Sequence, residues 1–221
     1  WAFGSAGQRC SALRVLCVQR DIAPRVLALL EGAMDELRIG DPADRATDVG
    51  PVIDRDAQSA LERHVDAMRG LGFVRHRTPL SPACAGGSFV APTLVALDRL
   101  DRLAKEVFGP VLHVVEWDAA ELDALVDAIH ATGYGLTMGI HSRIDATIAR
   151  IASRARVGNL YVNRNMIGAV VGVQPFGGEG LSGTGPKAGG PHYLARFAVE
   201  RVRTVNTAAA GGNAALLAQD R

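Results

Sequence analysis

Val111-Leu112-His113-Val114-Val115-Glu116-Trp117 is a short run of branched and aromatic residues that reads as a buried strand, and its sequel decides the fold class. A helical pattern over 121–131 comes next, then a strand over 136–141, a helix over 146–155 and a strand over 157–162. Repeated strand–helix units call for an α/β fold: an open, mainly parallel twisted sheet with helices on both faces. Upstream, residues 13–19 read as another buried strand. Asp21 is placed to cap a helix whose apolar positions Ile22, Val26, Leu29, Leu30, Ala33 and Leu37 share one face, with Pro24 in its first turn. Gly40-Asp41-Pro42 stops that helix. Asp54 caps a second helix to about residue 68, followed by a short strand at 73–76 and an extended segment at 89–97.

Downstream, the glycine-rich stretch 168–190 is too irregular for either element and reads as a long structured loop, a kind that is commonly functional. Residues 197–207 set Phe197, Val199, Val202 and Val205 against Glu200, Arg201 and Arg203, which fits an edge strand. The Ala- and Gly-rich residues 208–221 are expected to form a flexible tail. The domain reading is a catalytic domain over 1–195, an oligomerisation strand over 196–207 and that tail.

The 221 residues carry 24 basic and 23 acidic side chains, scattered along the chain, so no nucleic-acid surface is expected. No apolar run reaches membrane-spanning length and no secretory leader is visible. Cys10, Cys17 and Cys84 are an odd number without metal-like spacing, which points to a reducing, cytoplasmic setting. The six histidines also lack ligand spacing, and no metal site is proposed. Gly183-Thr184-Gly185-Pro186-Lys187 lacks the Gly-Lys-Ser/Thr ending of a phosphate loop and is given no phosphate role.

Gly7-Gln8-Arg9-Cys10-Ser11 sets a cysteine on a glycine-started turn directly ahead of the 13–19 strand. Such a turn holds the sulfur out of the core beside free backbone N–H groups, a setting that suits a nucleophile. The alternative, a small buried hydrophobe, is the commoner fate of an unpaired cysteine. Cys17, inside the apolar strand, and Cys84, in a loop, are expected to be uninvolved.

Two further stretches, Lys105-Glu106-Val107-Phe108-Gly109-Pro110-Val111 and Gln174-Pro175-Phe176-Gly177-Gly178-Glu179-Gly180-Leu181-Ser182-Gly183, follow Cys10 in order. With it they resemble the aldehyde dehydrogenase superfamily from the first residues to about Thr207. Residues 166–173, the stretch Gly185-Pro186-Lys187-Ala188-Gly189-Gly190-Pro191-His192-Tyr193 and the segment 205–214 resemble one branch of it. That branch is the glutamate-semialdehyde dehydrogenase part of bifunctional proline utilization A proteins.

The resemblance implies a covalent role for Cys10. Its thiolate adds to the aldehyde, the resulting thiohemiacetal can give up a hydride to NAD, and the thioester left behind is hydrolysed. The Cys10 N–H is a plausible oxyanion donor. Glu106 would accept hydrogen bonds from the nicotinamide ribose hydroxyls, with Phe108 packing nearby; the alternative is a surface carboxylate beside Lys105. Gly168 and Ala169 would offer main-chain N–H groups to the substrate α-carboxylate, joined by the Ser11 hydroxyl. Phe176 would line the aldehyde channel. Arg9 either adds positive potential or forms an exposed ion pair, and the glycine loop could instead serve only to pack the core. The 197–207 strand would pair with a neighbouring subunit, making the protein a homo-oligomer.

The family's general-base glutamate, oxyanion asparagine and pyrophosphate-binding turn lie upstream of the nucleophile and have no counterpart in these residues. The chain is therefore expected to be the C-terminal part of a longer polypeptide that is inactive alone. FAD is implied only if that parent also carries a proline dehydrogenase domain. Two other classes compete with the dehydrogenase reading. One is a non-catalytic binding or assembly module on the same fold; the other is a cysteine hydrolase, which would need an activating histidine near Cys10.

Overall fold

The central strands are apolar on both faces, and that sets the architecture. In a computed structural model, which describes residues 1–206, 215 and 218, strands β1 (Val15–Gln19), β2 (Val74–Arg77), β3 (Thr93–Leu97) and β4 (Val111–Trp117) form one sheet in the order β1-β4-β3-β2. Five consecutive β4 residues, Val111 to Val115, are buried, so both faces of the sheet are covered. β1 and β3 each run parallel to β4, with Val15 opposite His113 and Val95 also opposite His113. β2 closes the edge antiparallel to β3, with a register shift between Val74 and His76.

Helices α1 (Ala23–Asp35) and α2 (Arg55–Gly70) pack on this sheet. Asp54 caps α2 as expected, its carboxylate accepting the Ala57 N–H at 2.7 Å, and Leu61, Val65 and Met68 face the core. The start of α1 differs from the sequence expectation. Asp21 takes a hydrogen bond from Gln19 Nε2 at 2.7 Å and leaves the cap to Ile22. Ala23, Leu27 and Met34 are fully buried, and of the expected positions Val26, Leu30 and Leu37 pack partly buried against the core, whereas Ile22, Leu29 and Ala33 are exposed. Because α1 is apolar around more than half its circumference, periodicity alone admitted a face rotated by about one residue.

After β4 come α3 (Leu122–Ala131), β5 (Tyr134–Gly135), β6 (Thr137–Ile140), α4 (Asp145–Arg154), β7 (Asn159–Val162) and β8 (Glu179–Gly180). β6 and β7 pair in parallel and β5 pairs antiparallel with β8, as two small sheets separate from the main one. Arg150 and Arg154 of α4 bridge to Asp123 and Asp127 of α3. A stacked Trp1–His141 pair, ring centres 5.4 Å apart, ties the chain start to the end of β6.

Residues 198–206 form no strand within the single chain, and Val199 and Val202 stand exposed. Thr207 and the expected tail lie outside the described residues, apart from 215 and 218. Among the described residues no helix is long and apolar enough to cross a membrane, and no group of three or more His, Cys, Asp or Glu side chains is arranged to hold a metal ion.

Candidate active site

Parallel pairing explains why the first two motifs meet. The turn bearing Cys10 immediately precedes β1, the Glu106–Pro110 segment immediately precedes β4, and parallel neighbours present their leading loops at one edge. Contact between the two is close. Ser5, Ala6 and Gly7 all have positive φ, and a Cβ at Gly7 would overlap the carbonyl of Gly109. Only glycine permits both that backbone conformation and that approach. The turn is further fixed by the Ile53 N–H, which donates to Gln8 Oε1 at 2.9 Å.

Cys10 emerges from this turn exposed to solvent. The other thiols differ. Burial pushes the Cys17 thiol up to about 12, and buried Cys84 donates to the Ile39 carbonyl. A thiol with so high a pKa supplies almost no thiolate near neutrality, so of the three sulfurs Cys10 is the one placed for chemistry.

Ser11, next in the chain, is buried, at 2% exposure. Its hydroxyl accepts the Gly168 N–H at 2.8 Å, joining the cysteine turn to the glycine-rich loop across 157 residues of sequence. Gly168 itself sits at φ +67°. Its carbonyl accepts the Tyr161 hydroxyl at 2.6 Å, so the residue is held through the peptide groups on both sides. Ser11 and Gly168 were expected to face a ligand together; here they face each other, and Ala169 beside them is half-buried. Phe176 is also half-buried, but its backbone pairs with Ala188, and no hydrogen bond or ring contact joins it to Cys10 among the described residues. Arg9 donates from Nε to Ser5 Oγ at 3.1 Å.

Glu106 is not a free surface carboxylate beside Lys105. Its Oε1 accepts from Arg14 Nε at 3.0 Å, and its N–H donates to the Tyr134 hydroxyl at 3.4 Å. The Arg14 guanidinium also lies 4.4 Å from the centre of the half-exposed Phe108 ring. The same guanidinium donates to the carbonyls of Arg9, at 2.9 Å, and Gly7. Arg14 was missed as a site residue. The available signal was a charge inside the apolar run Ala12–Val18, where a long cation needs partners.

Beneath Arg14 lies a histidine pair that motif spacing did not reveal. His113 is 1% exposed; its Nδ1 lies 3.2 Å from the Arg14 carbonyl and its Nε2 lies 2.9 Å from His64 Nε2. A carbonyl can only accept, so His113 carries its proton on Nδ1 and accepts at Nε2 from His64. Burial and the neighbouring His64 bring His113 down to about 4, and burial with the nearby Lys105 lowers His64. Two surface recesses, about 440 and 530 Å³, border β7 and the glycine loop, but neither is lined by Cys10, Ser11 or Glu106.

A family model described as the aldehyde dehydrogenase family matches residues 1–203. The bifunctional protein PutA of Klebsiella aerogenes is 60% identical over 205 residues, which is 90% of this chain and 16% of that protein. A crystal structure of a point mutant of Bradyrhizobium japonicum proline utilization A superposes with a TM-score of 0.88 at 58% identity, covering 94% of this chain and 21% of that one. A Thermus 1-pyrroline-5-carboxylate dehydrogenase solved with bound NAD gives 0.80 at 33% identity, covering 89% and 37%. The chain thus spans 16%, 21% and 37% of these three proteins.

Proposed function

The chain belongs to the aldehyde dehydrogenase family, and from that premise we propose that it supplies the catalytic-domain part of an NAD-dependent enzyme that oxidises L-glutamate γ-semialdehyde to L-glutamate in proline breakdown. The observation that carries this reading is the 2.8 Å bond between Ser11 and Gly168. It brings the exposed cysteine turn against the loop whose main chain would receive the substrate carboxylate.

In this reading the Cys10 sulfur forms the bond to the aldehyde carbon and carries the resulting acyl group as a thioester. The Cys10 N–H faces the developing oxyanion. Gly168 and Ala169 orient the far end of the substrate, which requires Ser11 to share or release the Gly168 N–H when the carboxylate arrives. Phe176 lines the approach. The residues present fit NAD at one point. A partly exposed carboxylate held rigid by Arg14, beside an exposed aromatic ring, suits a vicinal ribose diol, so Glu106 and Phe108 would hold that part of the cofactor. NAD, when bound, supplies the hydride acceptor. FAD would enter only if a longer parent chain carries a proline dehydrogenase domain. Residues 196–207 would add to a neighbouring subunit's sheet, which accounts for exposed Val199 and Val202. A cytoplasmic enzyme fits the free cysteines.

The test is steady-state oxidation by the complete protein. Cys10→Ser should lower kcat by at least about 10³-fold with the fold intact. An aldehyde of equal length without the α-carboxylate should lose kcat/KM by roughly 10²-fold. A Cys10→Ser protein with wild-type turnover, or equal use of both aldehydes, refutes the assignment.

A further inference from the structure

Arg14 stands at the amino end of β1, four residues after Cys10, with its side chain 17% exposed. Its Nη1 and Nη2 donate to Gly7 O and Arg9 O, two carbonyls of the turn that presents the sulfur. Nε donates to the Glu106 carboxylate, and the guanidinium plane covers Phe108. The backbone of Arg14 is held in turn, because its carbonyl accepts from both the N–H and Nδ1 of His113. One rigid fork therefore makes simultaneous bonds to both segments that converge at this edge of the sheet. A lysine ammonium could meet Glu106 as a point charge but could not reproduce the planar fork on two carbonyls.

We propose that Arg14 is a positioning residue that locks the Cys10 turn and the Glu106 carboxylate into one geometry, so that cofactor affinity and thiol presentation depend on the same side chain. The proposal rests on the reading of Glu106 as a ribose-binding carboxylate. Arg14 touches neither substrate nor reacting atoms; it acts through the two segments it joins.

Three variants of the complete protein, Arg14→Gln, Arg14→Lys and Glu106→Gln, separate the parts. NAD affinity is measured by titration, Cys10 reactivity by the rate of iodoacetamide alkylation, and folding by thermal unfolding. Arg14→Gln should raise the Kd for NAD roughly tenfold and change the alkylation rate at least about threefold. Arg14→Lys should recover NAD affinity to within about threefold while leaving alkylation altered. Glu106→Gln should weaken NAD binding and leave alkylation at the wild-type rate. A folded Arg14→Gln protein with both wild-type values overturns the proposal. So does an Arg14→Lys protein that restores both, and this arm decides the matter alone if Arg14→Gln does not fold. Unchanged NAD affinity in Glu106→Gln overturns the ribose reading and the cofactor half of the proposal. The alkylation arm reads Arg14's hold on the Cys10 turn separately.

Discussion

Ser11 and Tyr161 hold Gly168 through the peptide groups on its two sides, the first accepting its N–H and the second donating to its carbonyl. Both side chains are buried, so removing either hydroxyl leaves a main-chain group short of its partner. Ser11→Ala and Tyr161→Phe should each lower stability by about 1–3 kcal/mol, read from denaturant midpoints at constant m-value. The double variant should cost less than the sum, since both hold the same residue, Gly168, through the peptide groups on its two sides. Strict additivity would show that the two do not share Gly168. At this scale the sequence was partly legible. Cys10 and Glu106 stood inside recognisable motifs, whereas Arg14 and Tyr161 act through contacts that only folding creates. Arg14 meets Glu106 across 92 residues, and no local pattern encodes such a pairing.

Gly7 decides how the cysteine turn sits on the element beside it. At φ +64° and against the Gly109 carbonyl, a methyl group is both strained and obstructed. Gly7→Ala should therefore cost upwards of about 2 kcal/mol and alter Cys10 alkylation. Gly72→Ala is a control at φ +77° with open space around it, and should cost about 1 kcal/mol and leave Cys10 untouched. Equal effects of the two, by thermal melts and alkylation rates, would mean that close approach to Gly109 is unimportant. Most elements were legible from periodicity and caps: β4 appears over the residues expected, and α2 starts at its Asp54 cap. The α1 face was legible only in part, because several apolar faces competed and tertiary packing chose among them. The separation of β6–β7 and β5–β8 from the main sheet was not legible, because it depends on long-range hydrogen bonding rather than on the sequence of each strand.

Over the whole molecule, the His64–His113 pair couples the site's foundation to pH. Both histidines titrate lower in the folded protein than in the unfolded chain, so folding disfavours their charged forms. Stability from this source is complete above pH 6.5 and falls as pH drops toward about 4, where His113 would contribute a loss of about 3 kcal/mol. His113→Asn, which can still donate to the Arg14 carbonyl, should flatten the decline in melting temperature between pH 6.5 and 4. An unchanged slope would place the acid sensitivity elsewhere. Residues 1–221 alone, covering 37% of the NAD-bound Thermus structure, should bind NAD weakly or not at all in a calorimetric titration, and tight saturable binding would contradict this.

The central claim is that the Cys10 sulfur is reactive and lies within reach of a substrate gripped near Gly168. Site-mapped alkylation of the complete protein, with and without glutamate, the product of the proposed reaction, tests it most directly. Cys10 should be modified well before Cys17 and Cys84, and glutamate should slow its modification. An inert Cys10, or a labelling rate indifferent to glutamate, would contradict the account.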